Sequence, residues 1–254
     1  MYHNHHLHET KHLKEANLLQ EEKYRHLTND PVGKLVCEMA VPTIISMLVT
    51  AVYNLADTFF DSFLFLPYAA FTGTEYRDFT AWNTYVDNVF AEDANINALS
   101  EAVDQVSEGL GRDVRVRVFF SILYTWPDKT SFGDVDGDGV IEDFSKAEDR
   151  KKAIKWIIDE QLARFEAGGY DNLDLLGFYW YEEQVTYTDP HELELIRYAS
   201  DYVHSLGYKL MWIPWYCAPG YTDWKELGFD AAYMQPNHMF NKYDAAMLGE
   251  FAQS

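Results

Sequence analysis

Between residues 61 and 236 the apolar positions form two patterns, short near-continuous runs and longer segments that carry a single apolar stripe. The runs are DSFLFLP at 61–67, VRVRVFFSILYTW at 114–126, LDLLGFYWY at 173–181, YKLMWIPWY at 208–216 and FDAAYMQP at 229–236. Runs of this kind predict strands buried on both faces of a parallel sheet. The intervening segments have helical spacing. Trp82, Tyr85, Val86, Val89 and Phe90 share one face; Leu99, Val103, Val106 and Leu110 share a second; Ile154, Ile157, Ile158, Leu162 and Phe165 share a third. Ser145 with Glu148 predicts a capping box for that third helix, and Gly168 and Gly169 its close. Asp189, Pro190 and Glu192 predict the start of a helix ending at Leu206, with Gly207 just beyond. A short helix is expected near 222–227, and the last dozen residues begin another.

The order is β-α repeated five times, which predicts an α/β fold. An open doubly wound sheet and a barrel are both compatible with it. A partial (β/α)8 TIM-like barrel of five β/α units is preferred, because no Gly-rich phosphate loop follows the first strand. In such a barrel the C-terminal ends of the strands form the site.

Upstream, residues 39–56 (MAVPTIISMLVTAVYNLA) run for 18 residues without a charge, the borderline length for crossing a bilayer. Pro42 sits near the start of this stretch, where a helix tolerates the missing N–H. The stretch GKLVCEMAVPTIISMLVTAVYNLADTFF resembles the first transmembrane helix of the multidrug and toxic compound extrusion (MATE) transporters. Three segments are therefore expected: a flexible His-rich tail over 1–32, an apolar transporter-like helix over 33–60 unrelated to the rest of the chain, and the barrel portion over 61–254. Membrane contact is expected through 39–56. No later stretch is long and uncharged enough to span a bilayer, so transport is excluded as the activity.

Composition supports the division. All seven tryptophans follow residue 80, whereas six of the nine histidines precede residue 27. Residues 1–60 hold five Lys/Arg against seven Asp/Glu, so −19 of the net charge of −21 falls on 61–254. A surface this acidic repels phosphate backbones, and no nucleic-acid partner is expected. Cys37 and Cys217 lie in the two dissimilar segments without metal-ligand spacing, so neither disulfide nor zinc is expected. No secretory signal pattern opens the chain. No cofactor is implied.

The chemistry concentrates where the strands end. Pro67 and Tyr68, Tyr124 and Trp126, Trp180 through Glu183, Trp212, Trp215 and Tyr216, and Gln235, Asn237 and His238 follow the five strands in turn. Aromatic faces stack on sugar rings, and Gln and Asn match hydroxyl groups. Trp126, Trp180, Trp212, Trp215, Tyr216, Gln235 and Asn237 are accordingly the expected substrate-binding residues. Glu182 and Glu183, set among tryptophan and tyrosine, are the candidate catalytic carboxyls, because apolar surroundings raise a carboxyl toward general-acid range. Glu183 is favoured, since it shares strand parity with Gly177, Tyr179 and Tyr181. A second carboxylate, about 5 Å away for retention or further for inversion, is not evident; Asp223 and Asp230 read as structural. In DVDGDGVIED, Asp134, Asp136 and Asp138 hold positions 1, 3 and 5 of a calcium loop, but Ser145 stands where a bidentate Glu would close it. An acidic solvated turn is expected, and no metal.

DSFLFLP, FGDVDGDG, EDRKKAIKWIIDE, GFYWYEE and MQPNHMF together resemble the bacterial family called domain of unknown function 4855, over about residues 61–240. The resemblance implies a TIM barrel of glycoside-hydrolase type and an exported or cell-envelope setting. It implies no cofactor and a carbohydrate ligand. The expected function is that of an incomplete carbohydrate-active domain, hydrolysing glycosidic bonds if it is catalytic. The alternatives are a non-catalytic carbohydrate-binding barrel and a non-functional fusion. Five strands of an eight-stranded barrel would leave open edges, through which association or aggregation is expected.

Overall fold

The computed structural model describes residues 62–67 and 77–235, all within the unit Ala56–Ser254. The His-rich tail, the transporter-like stretch with its expected membrane contact, Tyr68, Asn237, His238 and the final helix lie outside the described residues. Among those described, no helix is long and apolar enough to cross a membrane.

Five strands form one parallel sheet in chain order: β1 (Ser62–Phe65), β2 (Val116–Ile122), β3 (Leu173–Trp180), β4 (Lys209–Trp212) and β5 (Ala231–Ala232). The helices are α1 (Phe79–Val89), α2 (Asn95–Leu110), α3 (Ala147–Gly168) and α4 (Glu192–Ser205). Strands alternating with helices are thus observed, with boundaries shifted by particular residues. β4 ends at Trp212 rather than 216 because Pro214 has no N–H to donate; its carbonyl instead accepts from the Gln235 amide at 2.8 Å. Only Ala231–Ala232 of the expected fifth run is laddered, and the expected helix near 222–227 is a single 3-10 turn, Tyr221–Asp223.

The expected caps also differ. Ser145 does not cap α3, because its hydroxyl and amide are both taken by Asp143 Oδ1. Asp149, in the first turn of α3, instead accepts from the Asp143 amide at 2.9 Å. Asp189 does not cap α4 either; His191 occupies that position, and the Asp189 carboxylate points into the protein.

Alternation divides the strand residues between two faces. On one face Phe119, Tyr179 and Met211 form a buried cluster, flanked by Leu64, Leu66, Tyr181, Ile213, Ala231 and Tyr233. On the other, Phe120 meets Phe90 at the end of α1 and Phe165 of α3, which places those helices against the sheet. A bulge between Val118 and Phe119 sets Leu175 and then Gly177 opposite them, leaving Leu176 unpaired. It lies upstream of Gly177, so the parity of Gly177, Tyr179 and Tyr181 is unbroken. A Cβ on Gly177 would sit 1.9 Å from the Lys209 carbonyl oxygen, so its smallness serves the close approach of β4.

Candidate functional site at the carboxyl rim of the sheet

β3 leaves its ladder after Trp180, and the chain then runs through Glu182 and bends at Glu183 and Gln184. The Tyr181 amide still donates to the Ile122 carbonyl at 3.2 Å, which anchors the exit. One residue on, the Glu182 carbonyl accepts the indole N–H of Trp212 at 2.7 Å. Burial pushes the Glu182 carboxyl above its usual range; a bond from Gln184 opposes this, and the charge of Glu183 adds to it. Burial also raises the Tyr179 phenol, with the charges of Glu183 and then Glu182 contributing, so both glutamates act electrically on the Tyr179 face of the sheet. Strand parity no longer governs Glu183, because the ladder has ended before it.

The remaining expected residues separate into three groups. Trp215 and Gln235 come together as an isolated parallel bridge beyond β4 and β5, both partly exposed, and the Gln235 side chain donates to the Ile213 carbonyl at 2.9 Å. Tyr216 follows in the next turn, also partly exposed. Trp126 is 36% exposed, but the Arg77 guanidinium lies over its ring at 4.9 Å and Tyr124 meets it edge-on at 5.0 Å. Trp180 and Trp212 correct the expectation: they are 1% and 0% exposed and alternate with Tyr179 and Met211, so they point away from the Tyr179 face and into the core. Trp212 stacks on Phe229 at 5.1 Å. Buried rings present no face to a sugar.

Sequence reasoning missed a buried ionic cluster beneath this rim. Arg150 of α3 donates through Nε to the Thr125 hydroxyl at 2.8 Å and through Nη1 to Asp189. Its Nη2 lies 3.7 Å from Glu192 Oε2, which accepts from the Tyr124 phenol at 2.9 Å. The side chains of Arg150, Asp189 and Glu192 are 1%, 3% and 0% exposed. The Glu192 carboxyl is pushed up to about 7, by burial first, against the Tyr124 bond and the Arg150 charge, with the charges of Asp189 and Glu182 reinforcing burial. One signal was legible: Arg150 stands four residues before Ile154, on the apolar stripe of its own helix.

The acidic turn is folded on itself. Asp134 accepts from the Gly137 and Gly139 amides at 2.8 and 2.9 Å, both glycines having positive φ. Asp134, Asp136 and Asp138 have carboxylate oxygens within 4.8 Å of one another. The Lys152 ammonium of α3 lies 2.7 Å from Asp136, 3.1 Å from the buried Glu142 and 3.7 Å from Asp138, and so supplies a positive charge to this cluster.

A family profile described as "Domain of unknown function (DUF4855)" matches residues 38–248. The match begins inside the 33–60 stretch rather than at residue 61. No curated protein and no solved structure matches the chain.

Proposed function

The chain belongs to the DUF4855 family, and from that premise we propose that its sheet is part of a glycoside-hydrolase-like β/α barrel acting on carbohydrate, with Glu182 as general acid. One observation carries the proposal: a carboxyl held above its ordinary range by burial, beside a second carboxyl, at the carboxyl end of a parallel strand. The strand order supports the barrel, since a doubly wound sheet reverses its order at a switch point whereas β1 through β5 run in sequence. In the proposed reaction the protonated Glu182 gives its proton to the glycosidic oxygen as the bond to the anomeric carbon breaks, a water molecule bonds to that carbon, and the proton the water gives up returns Glu182 to its acid form. Glu183 is the adjacent carboxylate, and Trp215, Tyr216 and Gln235 form the partly exposed rim against which a sugar would rest.

Wild type, Glu182→Gln and Glu183→Gln are to be assayed on a panel of aryl glycosides and polysaccharides, with binding measured by calorimetry. Glu182→Gln is expected to lower turnover roughly a hundredfold or more while keeping binding. Wild-type binding without turnover would instead indicate a carbohydrate-binding barrel. Neither binding nor turnover on the whole panel would overturn the proposal.

A further inference from the structure

The ionic cluster under the rim has one cation and two carboxyl groups, all sealed from water. Its two acids are held differently. Asp189 receives the Arg150 guanidinium and the His191 amide, the latter at 3.0 Å, two donors suited to an anion. Among the described residues, Glu192 receives only the neutral Tyr124 phenol on Oε2, and its Oε1 is buried without a hydrogen-bond partner, as is Arg150 Nη2. Two ionised carboxylates here would leave a net buried negative charge with an unsatisfied oxygen, which a low-dielectric interior penalises heavily.

We propose that Glu192 is the buried acid that carries this cluster's proton at neutral and lower pH, and that releasing it re-sets the connection between β3 and α4, which presents Glu182 and Glu183. The groups facing Glu192 come from every neighbouring element: Tyr124 after β2, Glu182 after β3, Asp189 before α4, and Arg150 of α3. Ionisation puts a new negative charge before Glu182 and Asp189 and draws Arg150 Nη2 across the 3.7 Å gap. The connection has few ways to absorb that pull. The Val185 amide is fixed to the Pro219 carbonyl at 2.8 Å and the Asp189 amide to the Thr186 carbonyl at 2.9 Å. Glu192 is thus a positioning residue, and its role does not depend on the carbohydrate proposal.

The test uses the full chain as wild type, Glu192→Gln and Tyr124→Phe, with denaturant stability and the indole N–H resonance of Trp212 followed against pH. That indole reports on the connection because it donates to the Glu182 carbonyl. A carboxyl raised in the folded state stabilises fully below its unfolded value, and that contribution is lost as pH rises through the folded value. From about pH 4.5 to about pH 7, the wild-type folding constant should therefore fall on the order of a hundredfold relative to Glu192→Gln. The Trp212 resonance should move with the same midpoint in wild type and stay fixed in Glu192→Gln. Tyr124→Phe removes the one bond that favours the ionised form, so its midpoint should lie higher. Parallel stability curves for wild type and Glu192→Gln, a Trp212 resonance that ignores the titration, or an unmoved midpoint in Tyr124→Phe would each overturn the proposal.

Discussion

The indole N–H of Trp212 donates to the backbone carbonyl of Glu182 at 2.7 Å, tying the core of β4 to the segment just beyond β3. A tryptophan that contributes nothing to the exposed surface therefore helps fix the backbone that carries the two candidate carboxyls. Trp212→Phe keeps an aromatic ring against Phe229 but deletes the donor and leaves a small void. The expected cost is about 2–3 kcal/mol, read from urea denaturation. If Glu182 carries chemistry, turnover should drop roughly tenfold or more in the folded variant, because the carboxyl is no longer held in place. Stability equal to wild type would show that the bond contributes nothing.

Much of the fold was legible because its strands are apolar on both faces and its helices carry clean stripes. Every strand and every helix described within 79–212 overlaps a segment that the pattern marked, although α1 and α2 begin three and four residues before the first marked position. The rim was legible only in part. Residue type alone cannot say on which side of a strand a ring lies, so Trp180 and Trp212 looked identical in kind to Trp215. Alternation from Tyr179 and Met211 separates them, but only once the register is known. Asp189 and Glu192 were hidden by a local rule that fits them equally well. A cap or first-turn acid and a buried ion-pair partner are both acids at the start of a helix, and only the tertiary position of Arg150 distinguishes them.

Arg150 should be among the least replaceable residues of the described chain. Arg150→Met removes the guanidinium paired with Asp189 while leaving that carboxylate 3% exposed. Breaking a buried pair from one side costs about 3–5 kcal/mol, because the remaining charge is stranded. The double variant Arg150→Met with Asp189→Asn should recover part of that loss. Thermal or denaturant midpoints of the three proteins decide it; a double variant less stable than Arg150→Met would contradict the assignment.

At the opposite end of the sheet, Asp230 joins α4 to β4 and β5. It faces His204 Nε2 at 2.8 Å, Lys209 Nζ at 2.9 Å and the Leu210 amide at 2.8 Å. Burial works to raise its carboxyl, but the bonds from His204, the Leu210 amide and Lys209 outweigh it and hold the group below its usual range. A carboxylate depressed in the folded state contributes stability above its unfolded value, about 3.8, and loses it as pH falls through the lower folded value. Asp230→Asn should therefore be less stable than wild type at neutral pH, and the gap should close as the solution is acidified. A gap that persists unchanged into acid, followed by denaturant midpoints, would exclude the carboxylate as its source.

The most stringent test of the sheet geometry is Gly177→Ala. A methyl group there meets the backbone carbonyl oxygen of Lys209 at 1.9 Å and its carbonyl carbon at 2.7 Å, and no side-chain rotation can relieve a clash with main chain. β4 would have to move away from β3. Such a shift would weaken the ladder from Gly177 and Lys209 to Trp180 and Trp212 and displace the indole that holds Glu182. The expected loss is about 2 kcal/mol or more, at the upper end for an added methyl group in a packed interior. The Trp212 indole resonance should shift even under conditions where the variant stays folded. An alanine variant of wild-type stability with an unshifted indole would mean that β3 and β4 do not approach as closely at Gly177 as this geometry requires.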